Sequence, residues 1–309
     1  MSLALLFPGQ GSQHVGMGRE LADAHPEVRA LFDEADEALG FSLSGIMWEG
    51  PEETLTETHN AQPALLLHSV AAHRAVREAL GTPAFVAGHS LGEFSAYVAA
   101  GSIDVGDALR VVRRRGELMF ESGAETPGTM AALLGLDDEA VETVCAGVEG
   151  GVCVPANYNS RGQVVISGDE AGVAEGMERA REAGARKAIQ LKVSGAFHSP
   201  LMKSAEEGLA AFLGSIEIRA PEVPVISNVT AEPVTEADTA RELLIRQLTS
   251  PVRWSRSIGR MVEGGVDRFV ELGPGSVLCG LNRRNARGVS CTSIGTPDDV
   301  TAFTTQGDA

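Results

Sequence analysis

The chain has 309 residues, 43% hydrophobic and 22% charged, the balance of a soluble globular protein with room for one large domain or two unequal ones. Its net charge of −17 argues against nucleic acid or an anionic membrane as partner, because both reward clustered Lys and Arg. An anionic substrate must therefore be held by local groups.

The first predicted strand, Leu3 to Phe7, has neither a basic leader nor a long apolar run around it, which fits no signal peptide or membrane span and points to the cytoplasm. Cys145, Cys153, Cys279 and Cys291 show no C-x-x-C pairing, so they are expected as small core residues, without a zinc site or a disulfide framework. Directly after the strand comes the turn Pro8-Gly9-Gln10-Gly11-Ser12-Gln13, rich in glycine and open at its backbone. The dinucleotide fingerprint requires a glycine where this chain has His14, so the turn is better read as an amide donor. A helical pattern from Pro63 to Leu80 then leads through Gly81-Thr82-Pro83 into a second strand, and this βα alternation predicts a mostly parallel sheet.

The second strand runs into Gly88-His89-Ser90-Leu91-Gly92-Glu93. Strand, Gly-x-Ser-x-Gly and helix follow in the order of a nucleophile elbow, which would project Ser90 from a sharp turn with free amides beneath it. Next, Ile103 to Ser122 is predicted as a helix closed by Gly123. Ala108, Val111, Val112, Arg115, Leu118 and Met119 share one face, which sets Arg115 inside an apolar stripe, while Arg110, Arg114, Glu117 and Glu121 lie opposite. A core-facing guanidinium needs a partner, because its unpaired burial costs several kcal/mol. Two partners remain open at this point, a structural Asp or Glu and a substrate carboxylate.

From Met130 to Val193 the rhythm changes. Strands are predicted at Met130 to Leu136, Gly151 to Asn157, Gln163 to Ser167 and Arg186 to Val193, with helices at Asp137 to Ala146 and Glu170 to Ala183. The order βαββαβ is that of a ferredoxin-like domain, taken as an insertion at 127–198 into a large α/β domain formed by 1–126 and 199–295. A polar tail, 296–309, is expected to be disordered. The crevice between the two parts is the natural ligand site. His198 stands at the exit of the insertion, whereas His25 precedes a proline near a helix start, His59, His68 and His73 lack metal-ligand spacing and His89 adjoins Ser90.

Together, Pro8-Gly9-Gln10-Gly11-Ser12-Gln13, Gly88-His89-Ser90-Leu91-Gly92-Glu93, Arg115-Gly116, Asn157-Tyr158-Asn159-Ser160, Gly195-Ala196-Phe197-His198 and Glu271-Leu272-Gly273-Pro274-Gly275 resemble, in sequence and order, the malonyl-CoA:acyl carrier protein transacylases. The resemblance spans nearly the whole chain. It implies a hydrolase-like α/β domain with a mostly parallel sheet and an inserted ferredoxin-like subdomain. It also implies malonyl transfer from malonyl-CoA to the phosphopantetheine thiol of an acyl carrier protein, by an acyltransferase of fatty acid or polyketide synthesis.

The roles it implies are Ser90 as nucleophile, His198 as base, and the backbone N–H groups of Gln10 and Leu91 as oxyanion hole. Arg115 would hold the substrate carboxylate and Gln247 would orient the histidine. Phe197 would crowd an α-methyl branch and so favour malonyl. No metal or cofactor is implied, and the family is usually monomeric. Basic residues at Arg181, Arg186, Lys187, Lys192, Arg283, Arg284 and Arg287 are candidates for meeting an acidic carrier protein. Competing readings are a trans-acting polyketide acyltransferase, a serine esterase or thioesterase with Asp169 as its acid, and a non-catalytic carrier-binding subunit. Asp169, however, is placed to cap the helix that follows it.

Overall fold

The computed structural model describes residues 2–306. In chain order the elements are β1 (Leu3–Phe7), α1 (Arg19–Ala24), α2 (Pro26–Leu39), α3 (Leu43–Glu49), α4 (Glu52–Thr56), α5 (Thr58–Leu80), β2 (Phe85–Gly88), α6 (Gly92–Ala99) and α7 (Val105–Glu125). Then come β3 (Thr129–Leu134), α8 (Asp138–Ala146), β4 (Cys153–Ser160), β5 (Gln163–Gly168), α9 (Glu170–Glu182) and β6 (Lys187–Gln190). The chain finishes with α10 (Lys203–Leu213), β7 (Val225–Ile226), β8 (Pro233–Val234), α11 (Ala237–Arg246), α12 (Trp254–Glu263), β9 (Arg268–Leu272), α13 (Val277–Asn285), β10 (Ser290–Ile294) and α14 (Pro297–Gln306).

Two sheets organise these elements. The larger has strand order β10-β9-β1-β2-β7-β8, parallel except for the short β7–β8 pair. β1 lies within it and is buried along its whole length, which explains its unbroken apolar sequence. The smaller sheet, β4-β5-β3-β6, is antiparallel and carries α8 and α9, the split βαβ arrangement predicted from the sequence. It has its own core around Leu133, Val141, Val164 and Ile166. A bridge between Asn157 and Val252 ties the two parts together, with Tyr158 N donating to Val252 O and Val252 N donating to Ala156 O.

Three expectations need correction. The helix expected to stop at Gly123 runs on to Glu125, because Gly123 is a close-approach residue rather than a cap: a Cβ there would lie 2.2 Å from Ser194 O. Cys279 and Cys291 are bonded as a disulfide that joins α13 to β10, with Cα atoms 5.4 Å apart, while Cys145 and Cys153 are the small buried thiols expected. Parallel pairing of β10 with β9 lays α13 beside β10, an adjacency that cysteine spacing does not reveal. The segment expected to be a disordered tail forms α14. Thr296 and Asp299 exchange capping bonds at its start and Val300 is buried, with 307–309 outside the described residues. Among the described residues no helix is long and apolar enough to cross a membrane.

Candidate active site

The site begins with the pairing of β1 and β2. Phe7 is in register with Gly88, and His89 N continues the ladder by donating to Phe7 O at 3.0 Å. The loop after β1 and the elbow after β2 therefore leave the carboxyl edge of the sheet side by side. Ser90 occupies the left-handed region at φ 50°, the strained turn that an elbow imposes on a residue with a side chain. Asn228 holds this turn closed, its Oδ1 accepting from Ser90 N at 2.7 Å and its Nδ2 donating to Gly88 O at 2.7 Å. The amides of Gln10 and Leu91 bond to no other described residue, so both remain available beside Ser90.

His198, 4% exposed and also left-handed at φ 57°, brings Nε2 to 2.8 Å from Ser90 Oγ. Its Nδ1 lies 2.9 Å from Gln247 O and 3.2 Å from Ser250 O. Carbonyl oxygens only accept, so Nδ1 carries the hydrogen and Nε2 is the bare acceptor for the serine hydroxyl. Burial, reinforced by the Arg115 charge, pushes the imidazole pKa down to about 3, so the ring is neutral across the physiological range. Among the described residues no carboxylate hydrogen-bonds to it. Asp169 lies elsewhere, capping α9 through Gly172 N at 2.7 Å.

Arg115 falls on the buried face of α7, as its place in the apolar stripe predicts, and is 1% exposed. Its guanidinium donates to Gln62 Oε1 at 2.7 Å, Gln247 Oε1 at 2.8 Å and Ser90 Oγ at 3.1 Å, and stacks over Phe94. Its Nε–H has no partner among the described residues. Amide oxygens thus hold a charge that a carboxylate would pair in full. Burial lowers the pKa to about 10, which leaves the group cationic at neutral pH.

These groups open into a cleft of about 620 Å³ between the two parts of the molecule, lined also by Met119, Met130, Asn157, Lys192 and Phe197. Ser90, His198, Gln10, Leu91, Arg115 and Phe197 all border this cleft, whereas Gln247 lies behind it, its carbonyl at His198 and its side chain at Arg115; of the basic residues nominated from the sequence, only Lys192 borders it. Sequence reasoning missed three supports: Gln62, Asn228 and Glu93. Glu93 lies in the elbow motif itself, where an acid on the first turn of a helix reads as an ordinary surface residue. Gln62 and Asn228 had no signal, since an amide in a helix or a turn is ordinary.

Comparison with known proteins gives a consistent result. The model of the acyl transferase domain family matches residues 4–306. The chain is 49% identical to the malonyl CoA-acyl carrier protein transacylase of Bacillus subtilis (strain 168), covering 96% of this chain and 95% of that protein. It is 44% identical to the protein of that name from Escherichia coli (strain K12), covering 97% of both. Among solved structures, a malonyl-transacylase in complex with its type II PKS acyl-carrier protein superposes with a TM-score of 0.95 at 41% identity, over 99% of this chain and 100% of that one. An acyl carrier protein S-malonyltransferase from Vibrio cholerae O1 biovar eltor gives 0.94 at 42%, over 98% and 99%.

Proposed function

Because the chain belongs to the acyl transferase domain family, we propose that it moves a malonyl group from malonyl-CoA to the phosphopantetheine thiol of an acyl carrier protein through an ester on Ser90. One observation carries the reading furthest: a buried guanidinium whose direct hydrogen-bond partners among the described residues are all neutral lies 3.1 Å from the Ser90 oxygen. A group placed there rewards an acyl chain that ends in a carboxylate.

In the first half-reaction His198 Nε2 takes the Ser90 proton as Oγ attacks the thioester carbonyl carbon. The carbonyl electron pair moves onto oxygen, where the Gln10 and Leu91 amides stabilise it; one such donor is typically worth about 3 kcal/mol. Collapse expels the coenzyme A sulfur, which leaves with the proton from His198. In the second half the carrier thiol gives its proton to His198 and attacks the Ser90 ester, and Ser90 recovers the proton. Gln247 O and Ser250 O hold the imidazole in the tautomer that both halves require. Arg115 grips the malonyl carboxylate, and Phe197 narrows the cleft against an α-methyl branch, a discrimination worth about 1 to 3 kcal/mol. Lys192 lines the same cleft and is the one nominated basic residue placed to meet the incoming carrier protein. The reading includes a monomer acting in the cytoplasm, for fatty acid or polyketide synthesis.

Intact-protein mass spectrometry after brief exposure to malonyl-CoA should show a malonyl adduct in the parent protein and none in Ser90→Ala. An adduct that survives the substitution would place the nucleophile elsewhere. At saturating malonyl-CoA, self-acylation should also hold its rate from pH 7.5 down to about pH 5, because a base with a pKa near 3 stays unprotonated there. A rate that halves near pH 6.5 would mean the imidazole is not held neutral.

A further inference from the structure

The mechanism leaves one buried acid unused. Glu93, on the first turn of α6, is fully buried; its Oε2 accepts from Gln247 Nε2 at 2.6 Å and from Asn228 N at 3.3 Å, while Oε1 has no partner among the described residues. Gln247 Nε2 also donates to Ser90 O at 3.0 Å, and its Oε1 accepts from Arg115. Carboxylate, amide and guanidinium thus form a continuous chain. Each end of the Gln247 amide is committed by its neighbour: Arg115 can only donate, and the Glu93 carboxylate and the Ser90 carbonyl can only accept.

We propose that Glu93 is the resident counter-charge of the empty acyl pocket, and that it takes up one proton from solvent when a carboxylate-bearing acyl group reaches Arg115. The proposal rests on the malonyl reading above. With the pocket empty and Glu93 ionised, as it is at pH 8, Arg115 and Glu93 sum to zero. Arrival of a second carboxylate makes the buried set net negative, in surroundings where uncompensated charge is costly. Protonating Glu93 restores neutrality, and the free Oε1 is where the proton can sit. Gln247 keeps its orientation because the Ser90 carbonyl still accepts from Nε2.

The surroundings of Glu93 suit a proton acceptor. Burial pushes its pKa up to about 7, against the pull of Gln247, Asn228 and the Arg115 charge. The ionisable groups that face it are Arg115 from α7 and Tyr97, one turn along its own helix. Asn228 and Gln247 offer only neutral bonds, the neutral Ser227 hydroxyl lies nearby, and among the described residues β1, β2 and α5 present no ionisable contact to the carboxylate. His198 senses the Arg115 charge and stays neutral.

The test uses full-length Ser90→Ala protein, which cannot be acylated, titrated calorimetrically with malonyl-CoA and acetyl-CoA in buffers of differing ionisation heat. At pH 8 malonyl-CoA should bring about half a proton or more into each site and acetyl-CoA none; the shared coenzyme A phosphates cancel in the comparison. Above pH 7 the malonyl-CoA Kd should weaken toward tenfold per pH unit. Adding Glu93→Gln, a neutral isostere, should abolish the uptake, flatten the pH dependence and tighten malonyl-CoA binding at pH 8 by about tenfold. A merely structural glutamate would give the opposite, weaker binding at every pH. No uptake by the Ser90→Ala protein, or the same uptake with Glu93→Gln present, overturns the proposal. If that protein binds malonyl-CoA no better than acetyl-CoA, the malonyl reading itself fails.

Discussion

Arg115→Ala should invert the acyl preference of the protein. Removing one member of a buried charge pair costs about 2 to 5 kcal/mol, so malonyl adduct formation on Ser90 should slow by roughly 30-fold to several thousand-fold. Acetyl-CoA makes no such pair, and its adduct should form at the parental rate or faster, since the pocket no longer presents an unmatched cation to an apolar methyl group. Initial rates of adduct formation, read by quenched mass spectrometry, check both arms together. The side chain also donates to Ser90 Oγ and Gln247 Oε1, so a purely architectural role predicts equal losses for the two substrates. That outcome would remove the carboxylate clamp. Arg115→Lys should recover only part of the malonyl rate, because an ammonium lacks the planar fork that meets a carboxylate with two parallel bonds.

The second large effect is expected from the glycines that flank the nucleophile. An alanine Cβ at Gly88 would lie 1.9 Å from the Gly92 carbonyl carbon and oxygen, and one at Gly92 would lie 2.1 Å from Phe7 O. The clashing atoms are backbone in the central sheet and the elbow, so no side chain can swing away to relieve them. Gly88→Ala and Gly92→Ala should each destabilise the protein by about 3 kcal/mol or more, or prevent soluble expression, with Ser90 displaced in any folded remnant. Gly280→Ala is the matched control: it sits within α13, nothing lies within 4 Å of its added Cβ, and alanine is the better helix former by about 1 kcal/mol. Thermal denaturation of the three variants separates the cases. Ordinary stability for Gly92→Ala would mean that the elbow can open, contrary to the close approach of α6 to β1.

Several parts of this protein are written locally in the chain. The parallel sheet follows from apolar strands alternating with helical patterns, and the elbow from glycines two residues either side of Ser90, because both depend on backbone geometry over a few residues. The inserted βαββαβ unit is legible for the same reason, and its elements follow one another along the chain in that order and form one antiparallel sheet. Arg115 was singled out by periodicity alone, since helical spacing determines which face a residue occupies. What pairs with that face is a different question, and the sequence left a structural acid and a substrate carboxylate equally open.

Only the tertiary structure decided how these pieces meet. The carbonyls that orient His198, the Asn228 clamp on the elbow and the path from Glu93 through Gln247 to Arg115 join residues far apart in the chain. Helical and strand periods carry no information about partners at such separations. The same limit hid the Cys279–Cys291 bond, which needs α13 laid beside β10, and α14, whose polar sequence is held by a capped start and a buried Val300. Local sequence specifies which surfaces are made, through steric and hydrophobic periodicity. Which charges and hydrogen-bonding groups those surfaces bring within 3 Å is decided when the whole core closes and buried polar atoms must find partners.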